Sequence, residues 1–305
     1  MSKSPAVRLS EFSAELADLV SRCSHGIVAV RLGSGRSISG LVWRPGQVVT
    51  AAEALAEEPS ALRVLTAAAS EHDARLLGRD PSTDVALLGV EGLTGEPLPP
   101  GDPATVRPGQ LAVAVGRSPE HGPIVTFGGV AVAGAAWHSQ LGGRIDRFIR
   151  LDASLTRAAE GGGVVDLDGR LIGMAVLGPR RALLTIPAAT IARSAEQLLA
   201  KGRISRGYLG VAMQPVQLPT ALQKLANTSV GLLVSSVDSQ SSAAAGGVLL
   251  GDVIVAWNGE PVRDYRQVQR LLGPESVGST MTVAALRAGA LVDLRLTVGE
   301  RPSSG

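Results

Sequence analysis

The stretch Gly78-Arg79-Asp80-Pro81-Ser82-Thr83-Asp84-Val85-Ala86-Leu87-Leu88 places a Gly-Arg pair ahead of a short apolar run, Val85 to Val90. A run of that length, bounded by turn residues, predicts a buried strand. The same texture extends on both sides. Ile27 to Leu32, Ser37 to Trp43, Gln47 to Thr50 and Leu62 to Thr66 precede it, and Leu111 to Val115 and Val125 to Val132 follow. Pro45-Gly46, Pro108-Gly109 and Asp168-Gly169 punctuate them. Many short strands at regular spacing predict a closed barrel or a sandwich from Gly26 to Ile186.

Beyond that series the periodicity changes. Pro187 opens a predicted helix, Ala188 to Lys201, that Gly202 closes. Arg203 to Gly207 reads as a linker, and a second module runs from Tyr208 to about Arg301. Its predicted strands are Val230 to Val237, Val253 to Trp257, Thr280 to Arg287 and Leu291 to Val298, with a short helix from an Asp264 cap to Leu272.

Composition narrows the function. The chain has 305 residues, enough for two cores. Aromatic residues make up 3 %, so Val, Leu, Ile and Ala must fill the interior. With 29 basic and 27 acidic residues the net charge is +2, and no Lys/Arg run occurs, which argues against a nucleic-acid surface. One cysteine, Cys23, excludes an internal disulfide and reads as a small buried hydrophobe. His25, His72, His121 and His138 lie far apart without ligand spacing, so neither a metal nor a cofactor is expected.

At the N-terminus, Phe12, Leu16, Leu19 and Val20 alternate with Glu11, Glu15 and Asp18. That is an amphipathic helix and not a secretory core, and no segment is long and apolar enough to span a bilayer. A cytoplasmic location is the expectation.

Three ordered segments then carry a resemblance. Val48-Val49-Thr50-Ala51-Ala52-Glu53-Ala54-Leu55 is similar to a strand-Thr-Ala-Ala-His motif. The Gly78 to Leu88 stretch is similar to an Asp motif, and Phe148 to Gly173 is similar to the segment around Gly-Asn-Ser-Gly-Gly. Leu184-Thr185-Ile186-Pro187 resembles a Phe-Ala-Ile-Pro barrel exit. Together these resemble the HtrA/Deg-type serine endopeptidases. The resemblance implies a mainly β protein, a chymotrypsin-like double β-barrel followed by an α+β PDZ domain. The implied boundaries are an N-terminal helical or oligomerisation segment 1–25, a trypsin-like domain 26–202, a linker 203–207 and a PDZ domain 208–301.

Carried over position by position, the base falls on Glu53, the orienting acid on Asp84 and the nucleophile on Glu160, with Ala158 and Ala159 in the oxyanion loop. Only Asp84 matches the family motif. Acyl transfer on this fold uses a hydroxyl, an imidazole and a carboxylate, and two of the three are replaced. Ser154 and Thr156 lie near the loop but lack a matching base. A divalent-cation site at the three acids is a further reading, weaker than solvated carboxylates. The expectation is a pseudoprotease, not an enzyme; the alternative is an active serine endopeptidase of protein quality control with an unrecognised nucleophile.

The second module resembles the family's PDZ domain. Gly207-Tyr208-Leu209-Gly210-Val211 is similar to its carboxylate-binding loop. Gly246 to Ile254, followed by Asn258-Gly259-Glu260-Pro261-Val262, is similar to its core and hairpin. The resemblance implies that a C-terminal peptide adds as a strand along Val211, Ala212 and Met213. Tyr208, Leu209 and Gly210 would receive its carboxylate, with Val268 and Leu272 on the far wall. Leu272 serves equally as core, and Val268 is the better groove residue. The implied partners are apolar C-termini or unfolded segments, with a homotrimer or an assembly with active relatives built on the N-terminal helix. The same helix serves equally as a cover for one end of the barrel.

Overall fold

The computed structural model describes residues 9–33, 35–55 and 61–300. The outermost ends of the expected N-terminal segment and PDZ domain, residues 1–8 and 301, lie outside them. Two compact units divide the chain, Met1–Ile204 and Ser205–Gly305.

The first unit begins with α1 (Leu9–Cys23). Glu11 in its first turn and Arg22 in its last complement the helix dipole. Leu19 and Cys23 are buried, and Leu16 and Val20 pack on the same core, so the apolar stripe covers the barrel. Six strands follow: β1 (Ile27–Leu32), β2 (Ser37–Arg44), β3 (Gln47–Ala51), β4 (Leu62–Leu65), β5 (Glu71–Asp80) and β6 (Val85–Val90). They close into a barrel in the order β1-β2-β3-β6-β5-β4. Closure removes every free sheet edge.

The second barrel uses β7 (Leu111–Ser118) and β8 (Gly122–Gly134) first. A short pair, β9 (Trp137–His138) and β10 (Arg144–Ile145), precedes β11 (Phe148–Ser154), β12 (Gly163–Val165), β13 (Leu171–Leu177) and β14 (Ala182–Pro187). Its order is β11-β14-β13-β12-β7-β8. Strand β7 shows why its apolar residues run without a break. Val113 and Val115 join the core shared with the first barrel, while Ala112 and Ala114 fill the second. Successive side chains point to opposite faces, and both faces are buried.

Helix α2 (Ala188–Lys201) starts after Pro187 and ends on Gly202, whose φ of 68° lets its N–H bond the Leu198 carbonyl at 2.8 Å. It lies against β5 closely enough that a Cβ on Gly78 would strike the Gly202 backbone. The Asp80 carboxylate fastens this corner, accepting from the hydroxyls of Ser82, Thr83 (2.6 Å) and Ser194 (3.3 Å).

The second unit has β15 (Gly207–Tyr208), β16 (Val211–Gln217), α3 (Thr220–Ala226), β17 (Val230–Val237), α4 (Ser242–Ala245) and β18 (Val253–Trp257). Then come β19 (Glu260–Pro261), α5 (Tyr265–Leu271), β20 (Thr280–Arg287), β21 (Ala290–Thr297) and β22 (Gly299–Glu300). The main sheet runs β16-β17-β18-β20-β21, with β19 on β18 and β22 on β15. Asp264 caps α5 by accepting the Gln267 N–H at 2.8 Å. Leu232, Ile254, Trp257 and Val283 form its core.

Candidate functional site

The three acidic positions come together on loops of the first unit. Pairing of Ala51 with Val85 sets the end of β3 beside the start of β6. The turn after β3 is thereby held over Asp84, whose Oδ1 accepts the Glu53 N–H at 2.7 Å. Burial pushes the Asp84 carboxyl up to about 7. The Glu53 N–H opposes that rise, and the charges of Glu53 and Glu160 add to it.

Glu160 follows a single 3₁₀ turn, Arg157–Ala159, and is 4 % exposed. Its carboxyl is also raised, by burial first, against an opposing hydrogen bond from the Leu177 N–H. One carboxylate oxygen, Oε2, is buried without a hydrogen-bond partner. Ser39 on β2 clamps the loop. Its N–H donates to the Glu160 carbonyl at 2.8 Å and its hydroxyl to the Ala158 carbonyl at 2.7 Å. Thr50 in turn donates to the Ser39 carbonyl at 2.6 Å, and the Arg117 N–H donates to the Ser39 hydroxyl at 2.8 Å. Gly161 has φ 86°, and a Cβ there would collide with the Ser39 carbonyl and the Thr50 hydroxyl.

Sequence reasoning did not single out Ser39 or Arg117. Only Thr50, inside a quoted motif, carried a local signal, because the clamp spans strands distant in the chain. The loop's amides are turned inward: Ala159 N–H bonds the Thr156 carbonyl at 3.0 Å and Glu160 N–H the Arg157 carbonyl at 3.2 Å. An oxyanion hole at this loop requires those donors to face the cleft. Ser154 and Thr156 are exposed.

Beside the acids opens a cavity of about 550 Å³. Glu53 and Asp84 line it together with the hydroxyl residues Ser82, Thr83 and Ser139. Its walls are apolar, including Trp137, Ile145, Val176, Leu177, Leu184 and Ile186. No histidine is among the described residues that line it. Among the described residues no group of three or more His, Cys, Asp or Glu is arranged to hold a metal ion.

In the second unit the predicted groove residues converge on a narrow groove of about 80 Å³. Tyr208, Leu209, Gly210, Val211, Met213, Val268 and Leu272 line it, joined by Tyr265 and Gln269 of α5. By strand alternation the Ala212 side chain is exposed on the opposite face from Val211 and Met213. Val268 serves core and groove at once, being 1 % exposed and part of the hydrophobic cluster. Strand β16 ends the sheet order, so one edge remains for an added strand, and Pro215 within it suits an edge position. Gly210, at φ 73°, passes so near Ser241 that no Cβ fits.

This architecture matches known proteins. Residues 38–174 match the trypsin-like peptidase domain and residues 207–298 the PDZ domain. A probable periplasmic serine endoprotease, DegP-like, of Bartonella henselae is 32 % identical over 286 residues, 92 % of this chain and 55 % of the relative. The periplasmic serine endoprotease DegP of Salmonella typhimurium is 30 % identical over 282 residues, 90 % and 58 % respectively. This chain thus spans a little over half the length of these curated relatives. Among solved structures, an HtrA-type protease, AlgW with tripeptide, superposes with TM-score 0.70 at 26 % identity, covering 94 % of this chain and 97 % of that one. The serine endoprotease from Yersinia pestis gives TM-score 0.72 at 24 % identity, with 94 % and 98 % covered.

Fold and site therefore define a trypsin-like double barrel joined to a PDZ domain. Over most of its length the chain is similar to HtrA-type serine endoproteases.

Two expectations are corrected by these relatives. The expectation that the chain is not an enzyme, drawn from Glu53 and Glu160, is overturned by relatives at 30–32 % identity named serine endoproteases. That expectation failed because a motif-by-motif test covers only the residues at the motif positions. A cytoplasmic location is likewise unsupported, since those relatives are named periplasmic. Among the described residues no helix is long and apolar enough to cross a membrane.

Proposed function

We propose that this chain acts on polypeptide in the manner of the HtrA-type serine endoproteases. The PDZ groove captures apolar C-termini, and the double barrel receives an extended segment in its cleft. The observation that carries the capture step is the groove itself, with an edge strand, the Tyr208-Leu209-Gly210 loop and an apolar far wall of Val268 and Leu272. Main-chain pairing along β16 supplies affinity, and the pockets between β16 and α5 supply preference for apolar side chains.

A fluorescent peptide ending in Val with a free carboxylate tests this by anisotropy. It should bind the full chain, and its C-terminal amide should bind at least about tenfold more weakly, the loss expected for removing a charge-assisted hydrogen bond. Equal affinity for the acid and the amide would end the proposal.

Endopeptidase activity, which the relatives' names favour, calls for a hydroxyl nucleophile at a position other than 160. In this reading a fluorophosphonate probe labels one serine of the full chain, and casein is cleaved at a rate that the label abolishes. A silent probe beside intact peptide binding would confine the function to capture.

A further inference from the structure

We propose that Arg117 is a positioning residue that ties the N-terminal helix α1 to the Glu160 loop, so that the seating of α1 sets how readily that loop opens. Such a link is separate from peptide capture and operates whether or not the barrel cleaves polypeptide.

Arg117 lies on β7 and is 6 % exposed. Among the described residues its guanidinium is held by main-chain carbonyls alone. Nε donates to the Ile27 carbonyl and Nη2 to the Ser24 carbonyl, each at 2.8 Å. Both acceptors belong to the junction where α1 ends, turns once through Ser24–Gly26 and enters β1. Burial acts on its charge and pulls the guanidinium below the ordinary arginine value. A buried charge without a counter-ion is costly, and a side chain that only filled this space would do so better as a hydrocarbon. What a guanidinium adds is several donors in one rigid plane, and here two of them bridge the carbonyls of the junction.

The main chain of the same residue grips the loop. The Arg117 N–H donates to the Ser39 hydroxyl at 2.8 Å, and that hydroxyl donates to the Ala158 carbonyl at 2.7 Å. The Ser39 N–H holds the Glu160 carbonyl. Gly116, the preceding residue, lies so near Ala159 that a Cβ would strike it. Arg117 thus has its side chain on the α1 junction and its backbone one hydroxyl away from the loop. A displaced junction pulls on a chain of short hydrogen bonds, and the close packing of Gly116 leaves that chain no slack.

A second route leads from α1 to the same loop. Leu19 and Cys23 pack on the Gly169 turn, which follows the loop and β12. That route passes through neither Arg117 nor Ser39, so a cycle of substitutions separates the two.

Native-state hydrogen exchange of the full chain, followed by mass spectrometry, reads Arg157–Gly162 with Val85–Val90 as the internal control. Leu19→Ala unseats α1 and should speed exchange in the loop at least about fivefold more than in the control, as for a local opening coupled through one network. In an Arg117→Met background, and separately in a Ser39→Ala background, the same Leu19→Ala change should alter loop exchange by less than about twofold. An undiminished effect of Leu19→Ala in both backgrounds would assign the coupling to the Gly169 turn and overturn the proposal. A loop that accelerates no more than Val85–Val90 in the otherwise unmodified chain would overturn it too, since the whole unit would then be opening. Should Arg117→Met fail to fold, Ser39→Ala, which removes a single oxygen, decides the matter by itself.

Discussion

Asp84 occupies the left-handed region at φ 58°, a conformation that Asp and Asn adopt more readily than most side chains. That geometry turns its carboxylate back onto the Glu53 N–H and buries it, which is why its proton is held up to about 7. The consequence for stability has a definite sign. Native Asp84 keeps a proton that the unfolded chain releases from about pH 4 upward, so the native state binds more protons between about 4 and 7. Stability contributed by this group therefore falls as pH rises through that window, and the penalty is complete above about 7. Asp84→Asn keeps the size, the left-handed tolerance and an acceptor for Glu53 N–H, and it removes the charge. Relative to the parent, it should be near neutral at pH 4 and more stable at pH 8. The gain should be a few kcal/mol at most, at about 1.4 kcal/mol per pKa unit. Urea midpoints at the two pH values check this, and a gain that is the same at both would show that the buried charge is not the cause.

At the level of elements, what could be read from the chain was what local pattern encodes. The strands Val85–Val90, Val230–Val237, Val253–Trp257 and Thr280–Arg287 form where apolar runs sit between turn residues. The Pro187 start and Gly202 stop of α2 follow from a fixed φ at one end and a positive φ at the other. Strand β5 was not legible, because its charged start, Glu71-His72-Asp73, faces solvent and its pairing partners β4 and β6 set its conformation. The three acids were legible as positions, since motif order places Glu53, Asp84 and Glu160. Their surroundings were not. The clamp of Ser39 on the Glu160 loop joins strands more than a hundred residues apart, and the Trp137 wall comes from a two-residue strand with no periodicity to betray it. Helix α1 stood between two roles in the sequence, a trimer contact and a barrel cover. Burial of Leu19 and packing of Leu16 and Val20 show the helix covering the barrel.

Across the molecule, the apolar interior is divided as the chain is. The clusters built on Ile27, Leu41 and Leu87 and on Ile149 and Leu183 lie within Met1–Ile204. Those built on Leu232, Ile254 and Trp257 and on Val255 and Leu286 lie within Ser205–Gly305. With separate cores, a cavity in one removes packing from that unit alone. Leu232 is fully buried, so Leu232→Ala should cost about 2–5 kcal/mol. For a domain of roughly a hundred residues each kcal/mol lowers the midpoint by about 4–8 °C. The calorimetric transition of the second unit should therefore drop by roughly 10 °C or more, while that of the double barrel stays within about 2 °C. On the proposed reading the C-terminal peptide binds the folded second unit, so it should raise that same transition by mass action and leave the other in place. A Leu232→Ala chain in which both transitions fall together would show that the two cores melt as one, and the capture groove would then report on the stability of the acidic cleft.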